Sequence, residues 1–296
     1  MTAGSAARPA NLPGGPARPP DPADRRAAAG YRGAERADPR HAAVWRALTD
    51  ILAATGRAGR GLHIIDAGGG SGGFAVPLAE RGHRVTVVDP SQDALAALAR
   101  RAADAGVAAR VTGRQGDLTE LPAVLGQELA DGGADLLLCH AVLDRIDDPA
   151  GALAAALRVL RPGGWLSLLV RGRAGAVLAR AVAGRFDEAA RLLAAPGRPA
   201  GSGPDPAGAE ASHWFDTTDV IGLVRAAGAE VLAVHGVRVF TDLALPPPAG
   251  AGDDREPVAG WAERLAALEE AVCSRPPYRD LAAQLHVMAR CAAAEP

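Results

Sequence analysis

The sequence contains no lysine, so arginine supplies all 32 of its basic residues, against 34 acidic ones. The net charge is only −2, which excludes a strongly basic domain, the general footprint of nucleic-acid binding. A local arginine patch can still hold one RNA, but we expect no DNA partner. The arginines are spread along the chain, which indicates a bias of coding composition rather than one dedicated surface.

Cysteines and long apolar runs are also scarce. The three cysteines show no metal-ligand spacing, and an odd number argues against a disulfide framework, so we expect no metal and a reducing, cytoplasmic location. No apolar run is long enough to cross a bilayer, so we expect no membrane partner. Residues 1–29 are rich in Pro, Gly, Ala and Arg and lack the apolar core of a signal peptide, so we predict a disordered tail before a domain at 30–296.

From residue 62 onward, short apolar runs alternate with helical patterns. This alternation predicts an α/β fold, a mostly parallel sheet with helices on both faces. We predict seven strands, at 62–66, 84–89, 109–113, 134–140, 165–170, 229–240 and 284–291. The segment after the fifth strand, about 171–216, is too long for a simple connection and is predicted to be a lid over the site.

A glycine-rich stretch, "DAGGGSGG" at 66–73, follows the first strand and fits two cofactor loops. Residues 68–73 match the GxGxxG loop of dinucleotide-binding proteins, and residues 66–72 match the DxGxGxG loop of S-adenosylmethionine (SAM) enzymes. In either loop the glycines, including Gly70, let the backbone approach the ligand. Asp89, which ends the second strand, can take both ribose hydroxyls of either cofactor.

Three features favour SAM. Asp66 precedes the glycines, where it would repel a pyrophosphate but attract the ammonium group of SAM. "LRPGGWLSLLV" at 160–170 turns from a helix into a strand. "GDLTELP" at 116–122 places Asp117 near the adenine, after the third strand.

Together these stretches resemble class I SAM-dependent methyltransferases over about residues 40–291. Further stretches are similar to one subfamily, the tRNA 5-carboxymethoxyuridine methyltransferases, which convert the oxyacetic acid of a wobble uridine to its methyl ester. The matching pieces are "AERGH", "HAVLDRIDDP", "VLRPGG", "AGRFD", "GVRVF" and "PPYRDLAAQLHVMAR". The resemblance implies a Rossmann-like seven-stranded sheet with a reversed last hairpin, SAM as cofactor and tRNA as substrate. It also implies SAM contacts at Arg40, Gly68, Gly69, Asp89, Gln115, Gly116 and His140.

The chain departs from the subfamily pattern near the expected acceptor. Arg171 and Gly172 replace a Tyr-Asn pair, Arg145 replaces a Trp, and residues 199–212 lack positive charge. A methyltransferase for a small-molecule acid or phenol therefore stays open, as does a SAM-binding module without turnover. These alternatives concern the acceptor more than the cofactor.

Four residues are candidates for the acceptor site. The guanidinium groups of Arg171 and Arg173 match carboxylate and phosphate geometry, and Trp214 and Tyr278 could stack on a base. Asp144, Asp147 and Asp148 are instead predicted to cap the helix that begins at Pro149. A carboxylate acceptor is already ionised at neutral pH, so we assign no catalytic acid or base.

Overall fold

A computed structural model of the chain describes residues 41–55, 61–129, 132–194, 213–244 and 260–293. The predicted tail at 1–29 and Arg40 lie outside these ranges. Within them, the strands are β1 (His63–Ala67), β2 (Arg84–Asp89), β3 (Val111–Gln115), β4 (Ala134–His140), β5 (Leu160–Arg171), β6 (Ala229–Val237) and β7 (Gln284–Cys291). The helices are α1 (Ala42–Thr55), α2 (Ala75–Glu80), α3 (Gln92–Asp104), α4 (Leu121–Leu125), α5 (Pro149–Leu157), α6 (Arg173–Val182), α7 (Phe186–Leu193), α8 (Thr217–Ala226) and α9 (Trp261–Val272).

The seven strands form one sheet in the order β3-β2-β1-β4-β5-β7-β6. β7 runs antiparallel to both of its neighbours, and the other pairs are parallel. This is the predicted Rossmann-like sheet with its reversed last hairpin. All five residues of the central strand β1 are buried, as expected where helices cover both faces of a parallel sheet.

Helices bury apolar side chains on each face of the sheet. On one face, Leu153 of α5 and Val220 of α8 join a core with Leu137 of β4. On the other face, Leu48 of α1 and Leu78 of α2 pack with Leu138, the next residue of β4. Successive strand residues point to opposite faces, so the apolar run in β4 serves both cores.

β1, β3, β5 and β6 differ from their predicted bounds, by one residue at each end in β1 and by more in the other three. β3 begins at Val111 because Ala108–Arg110 form a 3₁₀ turn. β5 begins at Leu160 because the "RPGG" turn is accommodated as an irregularity in its pairing with β4. β6 ends at Val237 because Arg238 adopts a left-handed φ of 61°, which a strand does not contain.

The segment predicted as a lid contains α6 and α7, and residues 195–212 of it lie outside the described ranges. Gly172 forms a parallel bridge with Phe215, which brings the two ends of the segment together. α6 lies so close to the chain at Ala282 that a Cβ on Gly175 would stand 2.2 Å from the Ala282 carbonyl oxygen. Closure of the segment over a ligand stays a prediction. None of the helices described is both long and apolar enough to cross a membrane.

Candidate functional site

The carboxyl ends of the parallel strands bring the predicted cofactor residues to one edge of the sheet. Asp66 lies in β1, and Asp89, Gln115 and His140 are the last residues of β2, β3 and β4. The strand order reverses between β1 and β4, and open α/β sheets bind ligands at such a switch point. The order of strands therefore gathers side chains that are far apart in sequence.

Asp66 is a buried carboxylate under the glycine loop. It is 2% exposed, and its Oδ2 atom has no hydrogen-bond partner among the described residues. Burial and, secondly, the nearby Asp89 carboxylate raise the pKa of Asp66 to about 7. A Cβ on Gly69 would stand 2.5 Å from this carboxyl group, so glycine is needed there for the backbone to cross above it.

Asp89 fixes the other side of the loop. Its Oδ2 accepts a hydrogen bond from the Gly70 N–H (2.9 Å), and its Oδ1 accepts one from the Ser91 N–H (2.9 Å). Gly68 has a φ of 68°, and a Cβ there would stand 2.3 Å from Val142. The loop is thus held in a left-handed conformation by β2 and by the chain after β4.

The segment after β3 places two predicted cofactor residues at the surface. The Gln115 side chain is exposed and accepts a hydrogen bond from Gln92 (2.9 Å). Asp117 is exposed and caps a short 3₁₀ turn through the Thr119 N–H (2.8 Å). Gly116 has a packing reason to be glycine, because a Cβ would stand 2.7 Å from Val124.

His140 ends β4 near the glycine loop, and the residue after it, Ala141, lines a cavity. The His140 ring meets Phe74 edge to face with centroids 4.6 Å apart, and its Nε2 lies 2.9 Å from the Ser167 Oγ. Its Nδ1 is buried and has no hydrogen-bond partner within the described ranges. Burial, together with His41, lowers the pKa of His140 to about 3, so the ring is neutral.

A cavity of about 380 Å³ begins at Ala141, the residue after His140. The pairing of Arg171 with Gln284 and of Gln284 with Val237 aligns the ends of β5, β7 and β6 there. α6 forms one wall. The polar and aromatic residues that line the cavity are Arg171, Arg180, Trp214, Arg238, Asp242 and Gln284.

Arginine dominates the charge of this cavity. The guanidinium groups of Arg171 and Arg180 lie 5.3 and 5.2 Å from the centroid of the Trp214 ring, within cation–π range. Arg238 is paired with Asp242, the one acidic residue among the lining residues described. A guanidinium has five N–H donors, so one carboxylate does not exhaust its capacity to bind an anion.

The prediction that Asp144 caps the helix at Pro149 is wrong. Asp144 is fully buried, accepts a hydrogen bond from the Arg171 N–H (3.0 Å) and lies 3.7 Å from the Arg171 Nε. Burial raises the pKa of Asp144 to about 6, although the Arg171 N–H and guanidinium oppose the shift. Asp148 alone supplies the N-cap, through the Gly151 N–H (3.0 Å).

The structure brings Arg171 and Trp214 into the cavity, but not Arg173 or Tyr278. Arg173 is 5% exposed and donates to the Trp214 carbonyl oxygen (2.9 Å). Its guanidinium also pairs with Asp216 (3.2 Å) and Asp219 (3.7 Å), so it ties α6 to the start of α8. Tyr278 begins a 3₁₀ turn and is 46% exposed outside the cavity lining.

Sequence reasoning missed Arg180, and it quoted Arg238 only within "GVRVF" without giving it a role. What marks Arg238 is its backbone φ of 61°, which is uncommon for a non-glycine residue. The sequence alone does not show this angle. Within the described ranges, no cluster of His, Cys, Asp and Glu could hold a metal ion.

Comparisons with known proteins agree with this geometry. Residues 65–168 match the family described as "Methyltransferase domain". A tRNA 5-carboxymethoxyuridine methyltransferase of Escherichia coli O157:H7 is 33% identical over 254 residues, which cover 85% of this chain and 87% of that protein. A ubiquinone biosynthesis O-methyltransferase of Caulobacter vibrioides is 31% identical over 126 residues, 42% of this chain and 46% of that protein.

The fold is also that of a solved methyltransferase. Magnesium protoporphyrin IX methyltransferase from Synechocystis, with bound S-adenosylhomocysteine, aligns with a TM-score of 0.53 at 15% identity, over 86% of this chain and 84% of that one. At this identity the likeness concerns the fold alone. The near full-length relative carries the assignment: the chain belongs to the SAM-dependent methyltransferases.

Proposed function

We propose that the enzyme transfers the methyl group of SAM to a carboxylate oxygen, that of 5-carboxymethoxyuridine in tRNA. The cavity beside His140 carries the proposal, because three arginines and one aspartate line it and its charge suits an acidic acceptor. The Escherichia coli relative, named for this reaction, supports the same acceptor.

We infer that SAM lies across the glycine loop. The unpartnered Oδ2 of Asp66 suits the ammonium group, and Asp89 keeps lone pairs for the ribose hydroxyls. Gly68, Gly69 and Gly70 let the backbone pass close to the cofactor. Gln115, Gly116 and Asp117 border the adenine, and His140 lies where the loop meets the acceptor cavity.

When bound, SAM supplies an electrophilic methyl group on a sulfonium, and the residues of this chain supply alignment. Arg171 and Arg180 hold the acceptor carboxylate, and Trp214 fixes the plane of both guanidinium groups. Asp144 holds Arg171 from behind, through its backbone and its side chain. Positioning of this kind can contribute roughly 7 to 11 kcal/mol to the lowering of a barrier.

No base is needed, because a carboxylic acid with a pKa of about 4 is ionised at neutral pH. The lining residues agree with this, since their one carboxylate, on Asp242, is engaged by Arg238. A phenol acceptor, the alternative that the ubiquinone relative favours, would have to lose a proton to a nearby base. His140 is too weak a base for that role, because its pKa is about 3.

Nucleoside analysis of tRNA tests the proposal. We expect tRNA from cells that lack the gene to accumulate 5-carboxymethoxyuridine, and the gene to restore its methyl ester. A gene carrying Asp89→Ala serves as the control for SAM-dependent restoration. Unchanged tRNA nucleosides, together with a methylated small acid or phenol in the metabolite extract, would contradict it.

A further inference from the structure

Four polar side chains form a hydrogen-bonded row under the site, and three of them have no role in the proposed function. His140 of β4 pairs with Leu169 of β5, Leu169 pairs with His286 of β7, and His286 pairs with His235 of β6. Directly paired residues point to the same face of a sheet. The three histidines therefore line up across four adjacent strands.

Ser167 connects this row. It is two residues before Leu169 on β5 and so points to the same face. Its Oγ lies 2.9 Å from the His140 Nε2 and 2.9 Å from the His286 Nε2. The His286 Nδ1 in turn lies 3.3 Å from the His235 Nδ1, and the planes of these two rings are 23° from parallel.

Burial makes the row costly unless every atom is paired. Ser167 and His286 are completely buried, below the face that α1 covers. An unpaired polar group in such a place costs about 1 to 3 kcal/mol. Burial, together with the neighbouring histidines, lowers the pKa values of His140 and His286, so both rings are neutral and each carries one N–H.

Neutral rings allow only two arrangements of the protons. A serine hydroxyl can donate once, and each neutral imidazole has one donor and one acceptor nitrogen. Either the donors all point from His235 toward His140, or they all point the other way. In the first arrangement the free Nδ1 of His140 is an N–H donor, and in the second it is an acceptor.

The charges at the two ends favour the first arrangement. At the His140 end, both ligands of the proposed function bring a carboxylate, which favours an N–H over a lone pair on Nδ1. At the other end, Arg46 is the largest charge effect on His235 and lowers its pKa, with Arg279 acting in the same direction and Asp50 against them. This favours a lone pair on the outer nitrogen of His235 and a proton on its Nδ1.

We propose that Ser167, His286 and His235 are positioning residues that fix His140 in its Nδ1–H tautomer, so that it donates to a carboxylate oxygen at the junction of the two sites. The carboxylate belongs either to the methionine part of SAM or to the acceptor. This inference rests on the proposed function only for the location of these ligands.

Two-bond ¹H–¹⁵N correlation spectra of the ¹⁵N-histidine-labelled full chain read the tautomers directly. The seven histidines give few signals, and His140→Gln identifies the one of interest. We expect the Nδ1–H tautomer at His140 and the Nε2–H tautomer at His286 in the wild-type protein. An Nε2–H tautomer at His140 would overturn the proposal. The wild-type spectrum alone gives this result, without a substitution at Ser167, His286 or His235.

Ser167→Ala tests whether the hydrogen-bonded row sets the tautomer of His140. We expect His140 to populate both tautomers. If the carboxylate is that of the cofactor, the Kd for S-adenosylhomocysteine should rise about three- to tenfold, the effect of weakening one hydrogen bond; if it is that of the acceptor, the acceptor's KM should rise instead. Thr86→Val is the matched control, since it removes a buried hydroxyl that lies 3.5 Å from His63 in the same sheet. His235→Phe, at the half-buried end, should also mix the tautomers of His140. If Ser167→Ala or His235→Phe folds and the tautomer of His140 is unchanged, the proposal is contradicted.

Three ligands identify the carboxylate. S-adenosylhomocysteine has the methionine carboxylate, and 5′-methylthioadenosine lacks it. A downfield shift of the His140 Nδ1–H with the first ligand alone assigns the cofactor. A shift that appears only when 5-carboxymethoxyuridine is added to the second assigns the acceptor, and no shift in any sample overturns the donor role. If the tautomers hold while tRNA is not methylated, only the proposed acceptor fails.

Discussion

Asp66 is a buried carboxyl group that would meet the ammonium group of SAM in the proposed function. The unfolded carboxyl has a pKa of about 3.9, whereas burial and the Asp89 carboxylate raise the folded pKa of Asp66 to about 7. Between these pH values the folded state keeps a proton that the unfolded state has lost. The stability of the ligand-free protein therefore falls as pH rises through this range.

Asp66→Asn should remove this loss, so it should raise the Tm of the ligand-free enzyme at pH 8 more than at pH 4. The ligand ammonium favours the ionised form, so wild-type affinity for S-adenosylhomocysteine should rise between about pH 5 and 7, with release of a proton. Scanning calorimetry measures the Tm. Titration calorimetry in buffers of different ionisation enthalpy measures the affinity and the proton release. Asp104→Asn, at an exposed carboxylate at the end of α3 and outside the cofactor site, is the control. A full pH dependence that persists in Asp66→Asn would refute this role.

Asp89→Ala should weaken SAM binding by about 1.5 to 3 kcal/mol, the usual contribution of charged hydrogen bonds. The variant also frees the Gly70 and Ser91 N–H groups, so the loop itself should loosen. Titration calorimetry with SAM and with NAD checks the cofactor choice. Tighter binding of NAD than of SAM by the wild-type enzyme would contradict it.

Helix α6 carries two arginines with different tasks. Arg180 faces the cavity and Trp214, whereas Arg173 is buried against Asp216 and Asp219. Arg180→Gln should raise the KM for the acceptor about tenfold or more, because it removes a charged donor. Arg180 also pairs with Glu188 (3.5 Å), so the Tm should fall slightly. Arg173→Met should instead lower the free energy of unfolding by about 2 kcal/mol and leave that KM near the wild-type value. Steady-state kinetics and thermal unfolding separate the two, and a KM effect confined to Arg173→Met would reverse the assignment.

Elements with strong periodic patterns were predictable from the sequence. The apolar runs of β1 and β4 and the glycine loop predict the sheet and its cofactor edge, because these signals are local. Asp144 and Arg180 were not predictable, because their tasks depend on contacts with residues 27 and 34 positions away, Arg171 and Trp214. Spacing likewise cannot show that Ser167 lies between two histidines on different strands.

At the scale of the whole molecule, the acceptor decides how the rate depends on pH. With SAM saturating, the single-turnover rate should change little between about pH 6 and 9, because a carboxylate of pKa about 4 is already charged. A phenol acceptor would require a base, and the rate would climb until that base was free. A tenfold rise per pH unit, abolished by His140→Ala with SAM binding intact, would favour the phenol.

The central claim is that the methyl group ends on a carboxylate of tRNA. The purified full-length enzyme, tRNA from cells lacking the gene and SAM with a radioactive methyl group test it directly, because mild alkali hydrolyses a methyl ester but not a methyl ether or a methylated base. We predict that the label enters tRNA, that alkali releases it as volatile methanol, and that nucleoside analysis then recovers 5-carboxymethoxyuridine. Label that stays with the tRNA after alkali, or that never enters it, would contradict the account.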